Sequence, residues 1–94
     1  MPRIKVKGSK KDHVVLVYAL STCGWCRKTK QFLNDNCIEY EYVDFDLASH
    51  EERTLILNEL TSKNIPLAFP LIIVNNKTMV RGYNPDKLRE ELGL

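Results

Sequence analysis

Ninety-four residues with a net charge of +2 make one domain, large enough to bury its own core and too small for two. A hydrophobic fraction of 44% is ordinary for a globular chain, and three cysteines are too few for a disulfide framework. An odd thiol is left over, which favours a reducing compartment, so a cytoplasmic location is expected. No apolar run approaches the length of a membrane-spanning helix, and no membrane partner is expected.

The basic excess belongs to the start of the chain. Residues 1–13 hold Arg3, Lys5, Lys7, Lys10 and Lys11 against Asp12, a net +4 that leaves −2 for residues 14–94. A basic arm can touch nucleic acid or a membrane surface, but this composition more simply gives a solvated tail. No nucleic-acid partner is expected. Ile4 and Val6 alternate with lysines, so part of the tail has the pattern of an added sheet edge. The expected division is a tail over 1–13 and a domain over 14–94.

Val14 to Leu20 is continuously apolar and rich in valine, as in a strand buried on both faces. With the basic start and Ser21-Thr22-Cys23 it faintly resembles a secretory or lipoprotein signal. The run is at the shortest limit for such a signal, and Asp12 and His13 adjoin it. Thr22 is also a poor residue to precede a lipidated cysteine. The segment is read as a strand.

Cys23-Gly24-Trp25-Cys26 follows, and a helix is predicted from about Gly24 to Asp35, with Phe32 and Leu33 toward the core. Asn34-Asp35-Asn36 ends it. Ile38 to Tyr42 alternates strictly, which predicts a strand with one wet face at a sheet edge. Cys37, at its start, is expected as a small buried hydrophobe, with a modifiable regulatory thiol as the alternative. Ser49-His50-Glu51-Glu52 is a capping box. It opens a helix to about Lys63 whose apolar side is Leu55, Ile56, Leu57 and Leu60. His50 is read as a surface residue.

After a loop with Pro66, and Pro70 at its end, Leu71 to Val74 is a second fully apolar strand. Asn75-Asn76 is a hairpin signal, because Asn tolerates positive φ. Thr78 to Arg81 returns as an alternating edge strand. Asn84-Pro85-Asp86 announces a last helix through an N-cap, a proline at the first helical position and an early acid. Leu88 and Leu92 face the core and Gly93 stops the helix. The apolar strands take the middle of the sheet and the alternating ones its edges. The first βαβ crossover makes parallel neighbours and is right-handed. The result is an α/β fold with a four-stranded mixed sheet, order 2-1-3-4, and helices on both faces.

Two cysteines where a strand turns into a helix suit thiol–disulfide chemistry. The first helical turn has unpaired N–H groups and the positive dipole end, both favouring a thiolate. Arg27, Lys28 and Lys30 add positive charge. Cys23 is therefore predicted as the exposed nucleophile of lowered pKa, and Cys26 as the shielded resolving thiol. Zinc would need two further ligands, and Cys37, His13 and His50 are not paired, so no metal site is expected. A purely structural disulfide closing so short a loop would add little stability.

This layout resembles the thioredoxin fold, and most closely the glutaredoxin family, over residues 14 to 92. The motifs that carry the resemblance are Ser21 to Cys26, Phe69-Pro70 before the third strand, and Arg81 to Leu88 leading into the last helix. It implies a cis bond before Pro70, where base rates favour trans, and a backbone dock for substrate at Phe69. It also implies substrate contacts at Trp25, Pro70, Gly82, Tyr83 and Asn84. The activity implied is reduction of protein or low-molecular-weight disulfides by dithiol exchange through Cys23 and Cys26.

The departures from the family's pattern point to a subtype. Gly24 and Trp25 stand where Pro and Tyr are usual. Leu20 stands where a Lys or Arg holds a glutathione carboxylate, and Ala68-Phe69 where Thr-Val is usual. Gly82-Tyr83-x-Pro85-Asp86 looks like the redoxins that thioredoxin reductase reduces and that feed ribonucleotide reductase. Valine at position 17 replaces the buried acid of true thioredoxins. No permanently bound cofactor is expected, with thioredoxin reductase or glutathione as electron donor and a monomer as the working unit. The alternative is a glutathione-dependent [2Fe–2S] cluster held between two subunits through Cys23, a reading that Gly24 admits and Leu20 opposes.

Overall fold

The computed structural model describes residues 3–94. The elements in chain order are β1 (Ile4–Val6), β2 (Val15–Ala19), α1 (Gly24–Asp35), β3 (Tyr40–Asp44), a 3-10 turn (Phe45–Leu47), α2 (His50–Ser62), β4 (Leu71–Val74), β5 (Thr78–Arg81) and α3 (Pro85–Leu92). They build a five-stranded sheet of order β1-β3-β2-β4-β5. Strands β2 and β3 are parallel, and the other pairs are antiparallel. The four strands expected from the sequence are present in the expected order.

The fifth strand is the difference. Residues 4–6 lie in the arm read mainly as solvated, but, as the alternation of Ile4 and Val6 with lysines allowed, they add to the sheet edge and pair antiparallel with β3. Their alternation of apolar and basic residues suits an edge with one wet face. Strand β3 is consequently second from the edge, where an edge had been expected, and it begins at Tyr40 rather than Ile38. Ile38 makes an isolated bridge with Lys10. A close approach secures this corner: a Cβ on Gly8 would lie 2.6 Å from the Cys37 carbonyl oxygen.

Two apolar layers flank the sheet. On one face, Cys26, Phe32 and Leu33 of α1 and Leu88 and Leu92 of α3 pack against Val15, Val17, Ile72, Val74 and Val80. On the other, Ile56 and Leu60 of α2 pack against Leu16, Tyr18, Val43 and Leu71. Burying one such aliphatic side chain contributes about 1.5–3 kcal/mol. Of the four apolar residues expected to face the core from α2, Leu55 and Leu57 are exposed instead. Ile56 and Leu60, one helical turn apart, form the buried stripe, and Leu55 and Leu57, one residue to either side of Ile56, turn about 100° away from it.

The three helices end alike. At α1, Ile38 N–H donates to the Leu33 carbonyl (2.9 Å) and Cys37 N–H to that of Asn34 (3.0 Å). At α2, Ile65 donates to Leu60 (2.8 Å) and Asn64 to Thr61 (3.0 Å). At α3, Leu94 donates to Arg89 (2.9 Å) and Gly93 to Glu90 (3.4 Å). These are Schellman closures, and each needs one left-handed residue. Cys37 (φ 57°), Asn64 (φ 57°) and Gly93 (φ 69°) supply it. Cys37, expected to be buried, is therefore exposed: the closure turns the chain there, and Ile38 enters the core in its place. Asn75 and Asn76, both with φ 55°, form the β4–β5 turn. The Ser49–Glu52 capping box is present at α2. No helix of the described residues is long and apolar enough to cross a membrane.

Candidate active site

Strand β2 ends at Ala19, beside Asp44 of the parallel strand β3. Two residues beyond each end, Ser21 and Asp46 meet. The Asp46 carboxylate accepts the Ser21 N–H at 2.9 Å and also the Ser21 hydroxyl. These bonds, the hydroxyl's first, hold the Asp46 carboxyl below the usual carboxylate range. A second tie follows, from Cys23 N–H to the Leu20 carbonyl (3.2 Å). The loop that delivers the first cysteine is thus fixed from the neighbouring strand. Nothing local in the sequence signals the Ser21–Asp46 contact. It depends on the parallel register of β2 and β3.

Cys23 is the N-cap of α1, in extended conformation, and its sulfur accepts the Cys26 backbone N–H at 3.3 Å. It is partly exposed, whereas Cys26, one turn inward, is buried in the core. Their acidities are pushed apart. A hydrogen bond from the Cys26 side chain is the largest influence lowering the Cys23 pKa; the Cys26 and Trp25 N–H groups and the Arg27 charge assist, against a smaller effect of burial. Cys26 is pushed up to about 11, first by burial and then by the Cys23 side chain. The pair thus favours the anion on one sulfur while keeping the other as a thiol and donor.

Trp25 lies between them in the chain and is 59% exposed. The indole stacks on Tyr83 at 5.8 Å and 23°, and the Lys28 ammonium sits 4.9 Å from its centroid. Trp25, Phe69, Pro70, Gly82 and Tyr83 line a cleft of about 230 Å³. The Phe69–Pro70 bond is cis, and the Pro70 carbonyl accepts the Gly82 N–H at 2.8 Å. Gly82 needs its glycine, since its φ is 76°. Five of the six residues for which substrate contact was expected therefore surround one cleft. The sixth, Asn84, lies outside its lining, where its side-chain oxygen caps α3 by accepting the Lys87 N–H at 3.1 Å.

Two cations of α1 have distinct surroundings. Lys30 pairs with Asp44 at 3.2 Å and lies 3.8 Å over the Tyr42 ring, tying α1 to β3. Lys28 stands over Trp25 and makes no ion pair among the described residues. Its placement was open to sequence reasoning, because residues three apart on a helix meet.

An N-capping cysteine of lowered pKa, a buried thiol one turn behind it and a cis-proline loop define a thiol redox site on a thioredoxin fold. The sequence model of the glutaredoxin family matches residues 15–79, and the chain belongs to that family. It is similar to the glutaredoxin of Methanosarcina mazei Go1, with a TM-score of 0.83, 31% identity, and coverage of 98% of this chain and 88% of that one. It is also similar to the methanoredoxin of Methanosarcina acetivorans, with a TM-score of 0.75, 34% identity, and coverage of 86% and 85%. The gene 56 protein of Mycobacterium phage D29 is 29% identical over 76 residues, which are 81% of this chain and 79% of that protein.

Proposed function

We propose that this protein is a disulfide reductase working by dithiol exchange. The observation that carries the reading is the opposed acidity of two cysteines one helical turn apart, Cys23 lowered and Cys26 raised to about 11. The Cys23 thiolate attacks one sulfur of a substrate disulfide. A Cys23–substrate bond forms, and the other substrate sulfur leaves as a thiolate that takes a proton. Cys26 then gives up its proton and attacks the Cys23 sulfur. The intramolecular disulfide forms and the second substrate thiol departs, so the substrate gains two electrons and two protons. Once Cys23 is bonded to substrate its negative charge is gone, which removes one of the influences holding the Cys26 proton.

Disulfide-bearing proteins are the proposed substrates, with Trp25, Phe69 and Tyr83 as the contact surface. The proposed electron donor is a thioredoxin reductase. Leu20 puts no cation where the family resemblance would have glutathione's carboxylate held, and Asn84 is engaged as a helix cap. The test offers the oxidised protein two reductants in parallel, with a disulfide acceptor and NADPH present. One is thioredoxin reductase, and the other is glutathione with glutathione reductase. NADPH loss with thioredoxin reductase alone is the expected result. Loss with glutathione alone would overturn the donor assignment, and loss with neither would overturn the activity.

A further inference from the structure

The cleft beside the cysteines does not end at Tyr83. The same ring also lines a recess of about 470 Å³, together with Lys28, Gln31, Phe32, Asp35 and Arg89 among others. Tyr83 is a wall of both spaces, and Lys28 links them by reaching over Trp25. A segment lying across Trp25 and Tyr83 would therefore continue into the recess.

The chemistry of the recess differs from that of the cleft. Two cations line it against one carboxylate, Asp35. The Arg89 guanidinium lies 5.2 Å over the Phe32 ring, and a guanidinium held over an aromatic ring can still donate from its N–H groups to an acceptor. Its one ion pair is a loose contact with Asp86 at 3.6 Å, and Asp86 is 96% exposed. Such a pair contributes little and yields readily to a better acceptor. Lys28 has no carboxylate partner among the described residues. The Gln31 amide adds a neutral donor.

We infer that this recess is a specificity subsite for an acidic side chain of the substrate protein, carried two or three residues from its reactive cysteine. The spacing follows from the helix. Lys28 is five residues beyond Cys23, about 7.5 Å along the axis at ~1.5 Å per residue. An extended chain covers that in two to three residues at about 3.3 Å each. The inference rests on the dithiol reading and adds the kind of sequence the site prefers.

The test mixes pre-reduced protein with two sets of disulfide-linked peptides, one set carrying Glu or Gln at both the second and third residues before the cysteine, the other at both the second and third residues after it. Release of free thiol is followed at low ionic strength. At one of the two placements the Glu peptide reacts about three- to tenfold faster than its Gln twin. In a K28Q/R89Q double variant that ratio falls to about one. The ratio is internal to each protein, so a general loss of activity does not alter it. Lys77→Gln, in the β4–β5 hairpin at the opposite end of the sheet, removes charge without touching the recess and keeps the ratio. Equal rates for Glu and Gln at both placements would overturn the subsite. So would a ratio that survives K28Q/R89Q or that vanishes with Lys77→Gln. If no peptide is reduced at all, the dithiol reading itself fails.

Discussion

Helix α1 carries a cysteine at each end, and the two positions are chemically opposite. Cys23 caps the N-terminus, where its sulfur receives the Cys26 N–H and faces the positive end of the peptide dipole. Cys37 stands just past the C-terminus, where the exposed backbone groups are carbonyls. Both are reachable by solvent, and Cys37 is the more exposed of the two. Exposure alone therefore does not select the nucleophile. The selection comes from which end of the helix the sulfur meets, and from a second thiol buried one turn behind it. The closure at Cys37 asks only for a left-handed residue, which Asn and Gly supply at the other two helices.

The comparison breaks most visibly through substitution of the sulfurs. Cys23→Ser is expected to reduce turnover to the uncatalysed background, while Cys37→Ser keeps it within about twofold, since surface changes away from a site rarely matter. Cys26→Ser should accumulate mixed disulfides visible by mass. If turnover falls as far in Cys37→Ser as in Cys23→Ser, the two helix ends are not chemically distinct.

A smaller effect concerns the corner that holds Cys37. Gly8→Ala would place a Cβ 2.6 Å from the Cys37 carbonyl oxygen and 2.7 Å from the Glu39 nitrogen. Backbone must shift, at a cost of about 1–3 kcal/mol. A lowered urea midpoint at unchanged turnover per folded molecule is the expected outcome, because the corner and the active site lie at opposite ends of α1. An unchanged midpoint would mean that residues 4–10 are not held as described. The smallest effect runs the other way. Cys37→Gly relieves a left-handed side chain and should raise stability by about 0.5–1 kcal/mol, the relief being partly offset by the freer unfolded chain. Thermal unfolding reads this directly, and a lower midpoint would contradict the closure.

Much of this architecture could be read from local pattern. The apolar runs Val15–Ala19 and Leu71–Val74 are the central strands. The caps at Ser49 and Asn84 stand where their spacing placed them, and Asn75-Asn76 turns the hairpin. Cys23 and Cys26 announced a site because their spacing on a helix start is itself the chemistry. What was hidden depends on contacts distant in sequence. Strand β1 exists only by pairing with β3, and that partner also decides whether β3 is an edge. Cys37 reads as a small hydrophobe until the three-dimensional closure sends Ile38 inward in its place. The Ser21–Asp46 clamp needs two parallel strands in register, and the recess beside Tyr83 needs α1 and α3 side by side.

The central claim is that the Cys26 thiol, and with it the N–H groups of the helix terminus, make Cys23 the reactive sulfur while Cys26 stays protonated behind it. The most direct measurement is the pH dependence of alkylation of the reduced protein, with each modified cysteine located by peptide mass. Cys23, with its pKa lowered, is a thiolate at pH values where a free thiol, of pKa about 8.5, is protonated. Its alkylation should persist to lower pH than that of a free thiol and fall only as pH drops through that lowered value. Cys26, pushed up to about 11, should resist until strongly alkaline pH, and Cys37 should lag behind Cys23 at pH 7. If Cys26 or Cys37 is modified before Cys23 at neutral pH, the account is contradicted.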